Sequence, residues 1–109
     1  MSFYHWLGEA GERYRRKGPV SNAAVRRCGV MAAEMFGVDT DDLFSAKRTG
    51  PVNNARHVGM AAARMKGASL PQIGGIFDRH HTSVLHAFRR VTSRPQLEAK
   101  AIEIEGMLG

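Results

Sequence analysis

The run Ser69-Leu70-Pro71-Gln72-Ile73-Gly74-Gly75-Ile76-Phe77-Asp78-Arg79-His80-His81-Thr82-Ser83-Val84-Leu85-His86-Ala87-Phe88-Arg89-Arg90-Val91 contains two short helices and the turn that joins them. Ser69-x-x-Gln72 has the form of a capping box, and Pro71 falls in the first helical turn, where a missing amide donor costs nothing. Leu70, Ile73, Ile76 and Phe77 then form one apolar stripe, so the first helix lasts about eight residues. Asp78-Arg79-His80 has the three-to-four-residue length that joins two helices steeply. From His81 to about Ser93 the helical period resumes. On a 100° wheel Val84, Leu85, Phe88 and Val91 share the core face, while Thr82, Ser83, His86, Arg89, Arg90 and Ser93 lie opposite. Short hydrogen-bonding groups at the start of a helix and arginines at its end suit a major groove and its flanking phosphates. The pair is expected to be a helix-turn-helix.

Outward from this pair the chain stays helical. Alternating β-branched runs and Asn-Gly or Asp-Gly hairpin turns are missing from the sequence, which predicts an all-α fold, a small helical bundle. Upstream, Val52, Ala55, Val58, Ala62 and Met65 define a helix from about Val52 to Lys66, ended by Gly67. Before it, Ser45-Ala46-Lys47-Arg48-Thr49-Gly50-Pro51 is expected to be a polar arm whose Gly-Pro pair resists helix and whose two cations reach outward. An acidic turn covers Asp39 to Phe44. A helix with Ala24, Cys28, Met31, Ala32 and Met35 on one stripe is capped by Ser21 or Asn22 and closed by Gly37. At the N-terminus, Phe3, Trp6, Leu7, Ala10 and Tyr14 predict an amphipathic helix from about Phe3 to Arg16, stopped by Gly18-Pro19. After Pro95, the stripe Leu97, Ala101, Ile104, Leu108 predicts an acidic closing helix packed on the bundle, away from any ligand on the helix-turn-helix. The domain plan is therefore an N-terminal helix over 1–20, the helix-turn-helix domain over 21–94 and the closing helix over 95–109.

Composition bounds the function. In 109 residues and with a net charge of +6, the chain has room for one small folded, basic domain. The charge is concentrated: between Lys47 and Arg94 nine basic residues face the single acid Asp78, and the rest of the sequence is net negative. A polyanion is the natural partner. The lone cysteine, Cys28, excludes an internal disulfide and a thiolate zinc cluster, and its place on an apolar stripe assigns it to the core. A reducing interior, the cytoplasm, follows as the expected compartment. No run approaches the roughly 20 apolar residues of a membrane span, and no secretory signal opens the sequence. The histidines lack the carboxylates and spacing of a metal site, so neither metal nor cofactor is expected and the chain is not read as an enzyme.

Ser69-Leu70-Pro71-Gln72-Ile73-Gly74, followed by His81-Thr82-Ser83-Val84-Leu85-His86-Ala87, resembles the C-terminal, origin-binding domain of the bacterial replication initiator DnaA, whose signature joins a "SLPEIG" helix to a "RDHTTVLHA" recognition helix. Phe36-Gly37-Val38, Asp42-Leu43-Phe44-Ser45-Ala46-Lys47-Arg48 and Ala55-Arg56-His57 extend the resemblance upstream. It implies a Trp-repressor-like helix-turn-helix that binds double-stranded DNA. Carried over by position, it makes Arg48 the arm residue that enters the minor groove, with Lys47 beside it. It makes Arg56, His57 and Arg64 phosphate contacts, and places Leu70 and Pro71 against a phosphate at the start of the short helix. His81 and Thr82 would read base edges and Ser83 would bond a phosphate, with Arg79, Arg89 and Arg90 as further cations and His86 on the same face.

Three departures set this chain apart from the pattern. His80 stands where the family has an aspartate able to accept from a cytosine amino group and to cap the recognition helix. The turn is one residue shorter, and His57 replaces a glutamine. The family's base preference is therefore not carried over. A Gly-x-x-x-x-Gly-Lys-Ser/Thr segment does not occur in the 109 residues, so no nucleotide is expected to bind them. The leading expectation is a sequence-selective DNA-binding protein that regulates replication or transcription by occupying sites. The second is a protein-interaction module whose N-terminal aromatic helix docks a partner or a second copy.

Overall fold

A computed structural model describes residues 19–108, which form six helices and no strand. They are α1 (Asn22–Phe36), α2 (Thr40–Leu43), α3 (Gly50–Lys66), α4 (Leu70–Phe77), α5 (His81–Thr92) and α6 (Pro95–Leu108). The expected N-terminal amphipathic helix lies outside the described residues, and with it the aromatic docking surface.

The hub of the fold is α3, which packs against α1, α5 and α6 and also touches α2 and α4. Its composition explains this position. Val58, Gly59, Met60, Ala61, Ala62 and Ala63 are all buried in succession, so the helix is covered on every side there. Small side chains let its neighbours come close: a Cβ placed on Gly59 would lie 3.0 Å from the Cα of Gly29 on α1. Phe77, Phe88, Leu43, Met60, Met65, Ile73 and Ile104 fill the remaining volume and are fully buried. Cys28 belongs to this core, and desolvation pushes its thiol up to about 11, which leaves it protonated and inert at neutral pH.

Local signals set the helix ends. The Ser21 hydroxyl accepts from the Ala24 amide at 3.1 Å and caps α1, and Gly37 closes it in the left-handed region at φ 65°. Asp39 caps α2 by accepting from the Asp41 amide. Two expectations are corrected here. The Gly50-Pro51 pair does not extend the arm but forms the first turn of α3, because a proline there forfeits an amide that has no helical partner anyway. The arm is accordingly shorter, residues 44–49. Ser69 does accept from the Gln72 amide at 3.1 Å, yet Gln72 does not close the capping box. Its Nε2 donates instead to the Val20 carbonyl at 2.6 Å and to Asn22 Oδ1 at 3.0 Å, tying α4 to the start of α1.

The closing helix α6 buries Ala101 and Ile104 against the bundle, with Leu97 and Leu108 half-buried beside them. None of the described helices is long and apolar enough to cross a membrane.

Candidate nucleic-acid interface

The turn between α4 and α5 fixes the direction of the recognition helix. α4 ends at Asp78, which adopts the left-handed conformation (φ 53°, ψ 52°) that short polar side chains tolerate. The Gly74 carbonyl accepts from the amides of both Asp78 and Arg79, the latter at 2.8 Å. The chain folds back so tightly that a Cβ on Gly74 would lie 2.5 Å from the Arg79 carbonyl oxygen. α5 then begins with a cap of its own: His80 Nδ1 accepts from the Thr82 amide at 3.2 Å. The imidazole thus takes the capping role that the sequence pattern gives to an aspartate.

On α5, Val84, Ala87, Phe88 and Val91 are buried, and His81, Thr82, Ser83, His86 and Arg89 are exposed. Thr82, Ser83 and His86 line one wall of a cleft of about 380 Å³. Asn53, Arg56, His57 and Met60 of α3 form another, Arg48 enters from the arm and Arg79 from the turn. No carboxylate and no residue of α6 lines it, so the arginines give it a net positive charge.

The arginines around the cleft divide into anchors and exposed cations. Arg56, expected to contact phosphate, is instead only 2 % exposed. Its Nε donates to the Leu43 carbonyl at 2.8 Å and its Nη1 to Asn53 Oδ1 at 3.1 Å. Nη2 reaches the carbonyls of Asp42, Ser45 and Lys47 at 3.2, 3.0 and 2.9 Å. The planar five-donor fork fits a loop that turns several carbonyls inward, which a lysine could not satisfy. Burial and the nearby Arg79 and Arg48 charges lower its pKa from the usual arginine value. Arg79 donates through Nη2 to the same Ser45 carbonyl at 2.7 Å and through Nη1 to the Phe77 and Asp78 carbonyls. α3, through Arg56, and the turn, through Arg79, therefore share one acceptor on the arm. Arg90, expected on the open face, is half-buried, with Nη2 on Asn54 Oδ1 at 2.8 Å and Nη1 3.1 Å from His57 Nδ1.

That last contact fixes the state of His57. A guanidinium only donates, so Nδ1 is the acceptor and the neutral ring carries its proton on Nε2. Desolvation, then the charges of Arg90, Arg56 and Arg79, push its pKa down to about 4. His57 is therefore a neutral polar group of the cleft at physiological pH.

The remaining candidates sit at the edges. Arg48 is exposed on the arm. Lys47 is exposed and paired with Asp42 at 3.1 Å. Arg64 is half-buried at the end of α3, with Nη1 on the Ala68 carbonyl at 3.0 Å, in the segment leading to half-buried Leu70 and exposed Pro71. Sequence reasoning missed Asn53 and Asn54. Asn53 lies three residues before Arg56 on the same helix face and accepts from its Nη1, whereas Asn54 accepts from Nη2 of Arg90, a partner on α5 that no local spacing indicates.

One comparison with known proteins bears on this arrangement. The family model described as "Bacterial dnaA protein helix-turn-helix" matches residues 30–91, from the middle of α1 to the last turn of α5, more than half of the chain. Its span contains the arm, the cleft and both helices of the turn motif, and stops before α6. The chain belongs to the family of the bacterial dnaA protein helix-turn-helix, a DNA-binding domain.

Proposed function

We propose that the chain binds double-stranded DNA sequence-selectively and acts as a regulator of replication or transcription by occupying its sites. In this reading α5 enters the major groove, with His81 and Thr82 at base edges and Ser83 at a phosphate. The arm follows into the adjacent minor groove behind Arg48. The observation that carries it is the cleft itself: the exposed polar side chains of α5 and the exposed cation of the arm face one space that holds no carboxylate. A duplex presents base edges in the groove and a rail of phosphates beside it, and the chemistry of the two kinds of side chain suits them in turn. Arg56 and Arg79 support the reading in another way, because they hold the arm against the turn before any ligand arrives, which lowers the ordering cost of binding.

Selection of bound duplexes from a random library tests this reading with the 109-residue chain. The expected result is a short enriched motif with several fixed base pairs. Recovery of duplexes with no common sequence would leave only unspecific attraction between a basic protein and a polyanion, and would overturn selective recognition.

A further inference from the structure

His80 is the residue at which this chain departs most from the pattern around it, and its geometry determines what it can offer to a base. Its Nδ1 accepts the Thr82 amide proton at 3.2 Å. A backbone amide only donates, so the neutral ring keeps its hydrogen on Nε2. The two nitrogens of an imidazole face away from one another across the ring, so with Nδ1 turned to the helix, Nε2–H is directed off its end. The ring is exposed and rests against that of His81, with centroids 4.2 Å apart and planes 32° from parallel. Cap and stacking together hold a single N–H donor at the leading end of α5.

We infer that His80 is a specificity-determining residue whose Nε2–H selects guanine at one position of the bound site. The inference rests on the proposed placement of α5 in the major groove. There, guanine presents two adjacent acceptors, N7 and O6, whereas cytosine presents only an amino donor. Adenine offers N7 beside its own amino donor, and thymine one acceptor beside a methyl group. A fixed donor therefore fits guanine best and meets cytosine donor to donor. An aspartate in the same place would reverse the order, since it keeps the cap and offers only acceptors.

The test is the random-duplex selection carried out on the wild-type chain, His80→Asp and His80→Ser, with helix content followed by circular dichroism. Both substitutions retain a good N-cap, so the fold is expected to persist. Wild type should enrich guanine at one position, roughly tenfold over cytosine. His80→Asp should convert that position to cytosine and leave the others unchanged, and His80→Ser should leave it without preference. The same motif from all three proteins would overturn the inference. So would a loss of affinity spread equally over all sequences, which would mark His80 as a phosphate contact. Either result leaves sequence-selective binding intact, whereas absence of any motif from the wild-type chain overturns both.

Discussion

His57 couples the stability of the bundle to acid. Its pKa falls from 6.5 to about 4 on folding, because the ring is desolvated and lies among the Arg90, Arg56 and Arg79 charges. Between those two values the unfolded chain binds a proton that the folded one refuses, so this contribution is fully present above pH 6.5 and is lost as pH falls toward 4. The upper bound is about 3 kcal/mol. Urea melts at pH 7 and pH 4.5 should show the loss, and His57→Gln, which cannot titrate, should remove most of the difference. An unchanged slope in the variant would place the acid sensitivity elsewhere.

Arg56 shows how burial can invert the role of a charged residue. Its fork donates to four carbonyls between Asp42 and Lys47, and removing it strips a buried donor from each, although Arg79 still serves the Ser45 carbonyl and the Ser45 hydroxyl that of Asp42. Arg56→Ala should cost about 3 kcal/mol of stability, and Arg56→Lys should recover little because an ammonium cannot reach four acceptors in one plane. Thermal melts without DNA would detect both effects. A fully stable Arg56→Ala protein with weakened DNA binding would instead restore the phosphate-contact role. In the sequence, Arg56 is one cation among nine in a basic stretch, and nothing in its spacing separates it from Arg48. The difference lies in the loop that folds over it, a contact reaching thirteen residues back to Leu43.

The helix-turn-helix depends on glycine at one of two adjacent positions. A Cβ at Gly74 would be 2.5 Å from the Arg79 carbonyl, whereas one at Gly75 would have no neighbour within 4 Å. Gly74→Ala should therefore destabilise by about 2–3 kcal/mol and loosen the turn. Gly75→Ala should be neutral or raise stability by up to about 1 kcal/mol through helix propensity. Chemical denaturation of the two single variants checks this, and equal effects would mean that the turn relaxes around the added methyl.

Helices that carry an apolar stripe between a cap and a stop were readable from periodicity alone. The eight residues of α4, the Ser21 and Ser69 caps and the Gly37 stop follow local rules, and the structure keeps them. What local rules left open were partners far away in sequence. Gln72 satisfies Val20 and Asn22 rather than its own cap, Arg90 turns to Asn54 and His57, and Arg79 joins the arm. The open face of α5 was readable for Thr82, Ser83 and His86, because their side chains make no tertiary demand. It was not readable for Arg90, whose length lets it reach back to α3.

Over the whole molecule, these anchors change how much of the positive charge reaches a ligand. The stretch from Lys47 to Arg94 holds nine cations, but Arg56, Arg79 and Arg90 direct donors to backbone carbonyls, two side-chain amides and an imidazole of the protein itself. Arg48 is exposed in the cleft, Lys47 is exposed beside it and paired with Asp42, Arg89 is exposed on α5, and Arg64 is half-buried near the start of α4. Each phosphate neutralised contributes about −0.9 to the slope of log affinity against log salt on duplex DNA. Three to four such contacts predict a slope of roughly −3 to −4, shallower than the whole basic stretch would give. Titrations of a labelled duplex at several salt concentrations measure it. Arg48→Ala should reduce its magnitude by about 1, while Arg90→Ala should lower stability and leave the slope nearly unchanged. A slope as steep as about −8 would mean that the anchored arginines leave their protein partners for phosphate when DNA binds, and the arm would then be assembled by the ligand rather than beforehand.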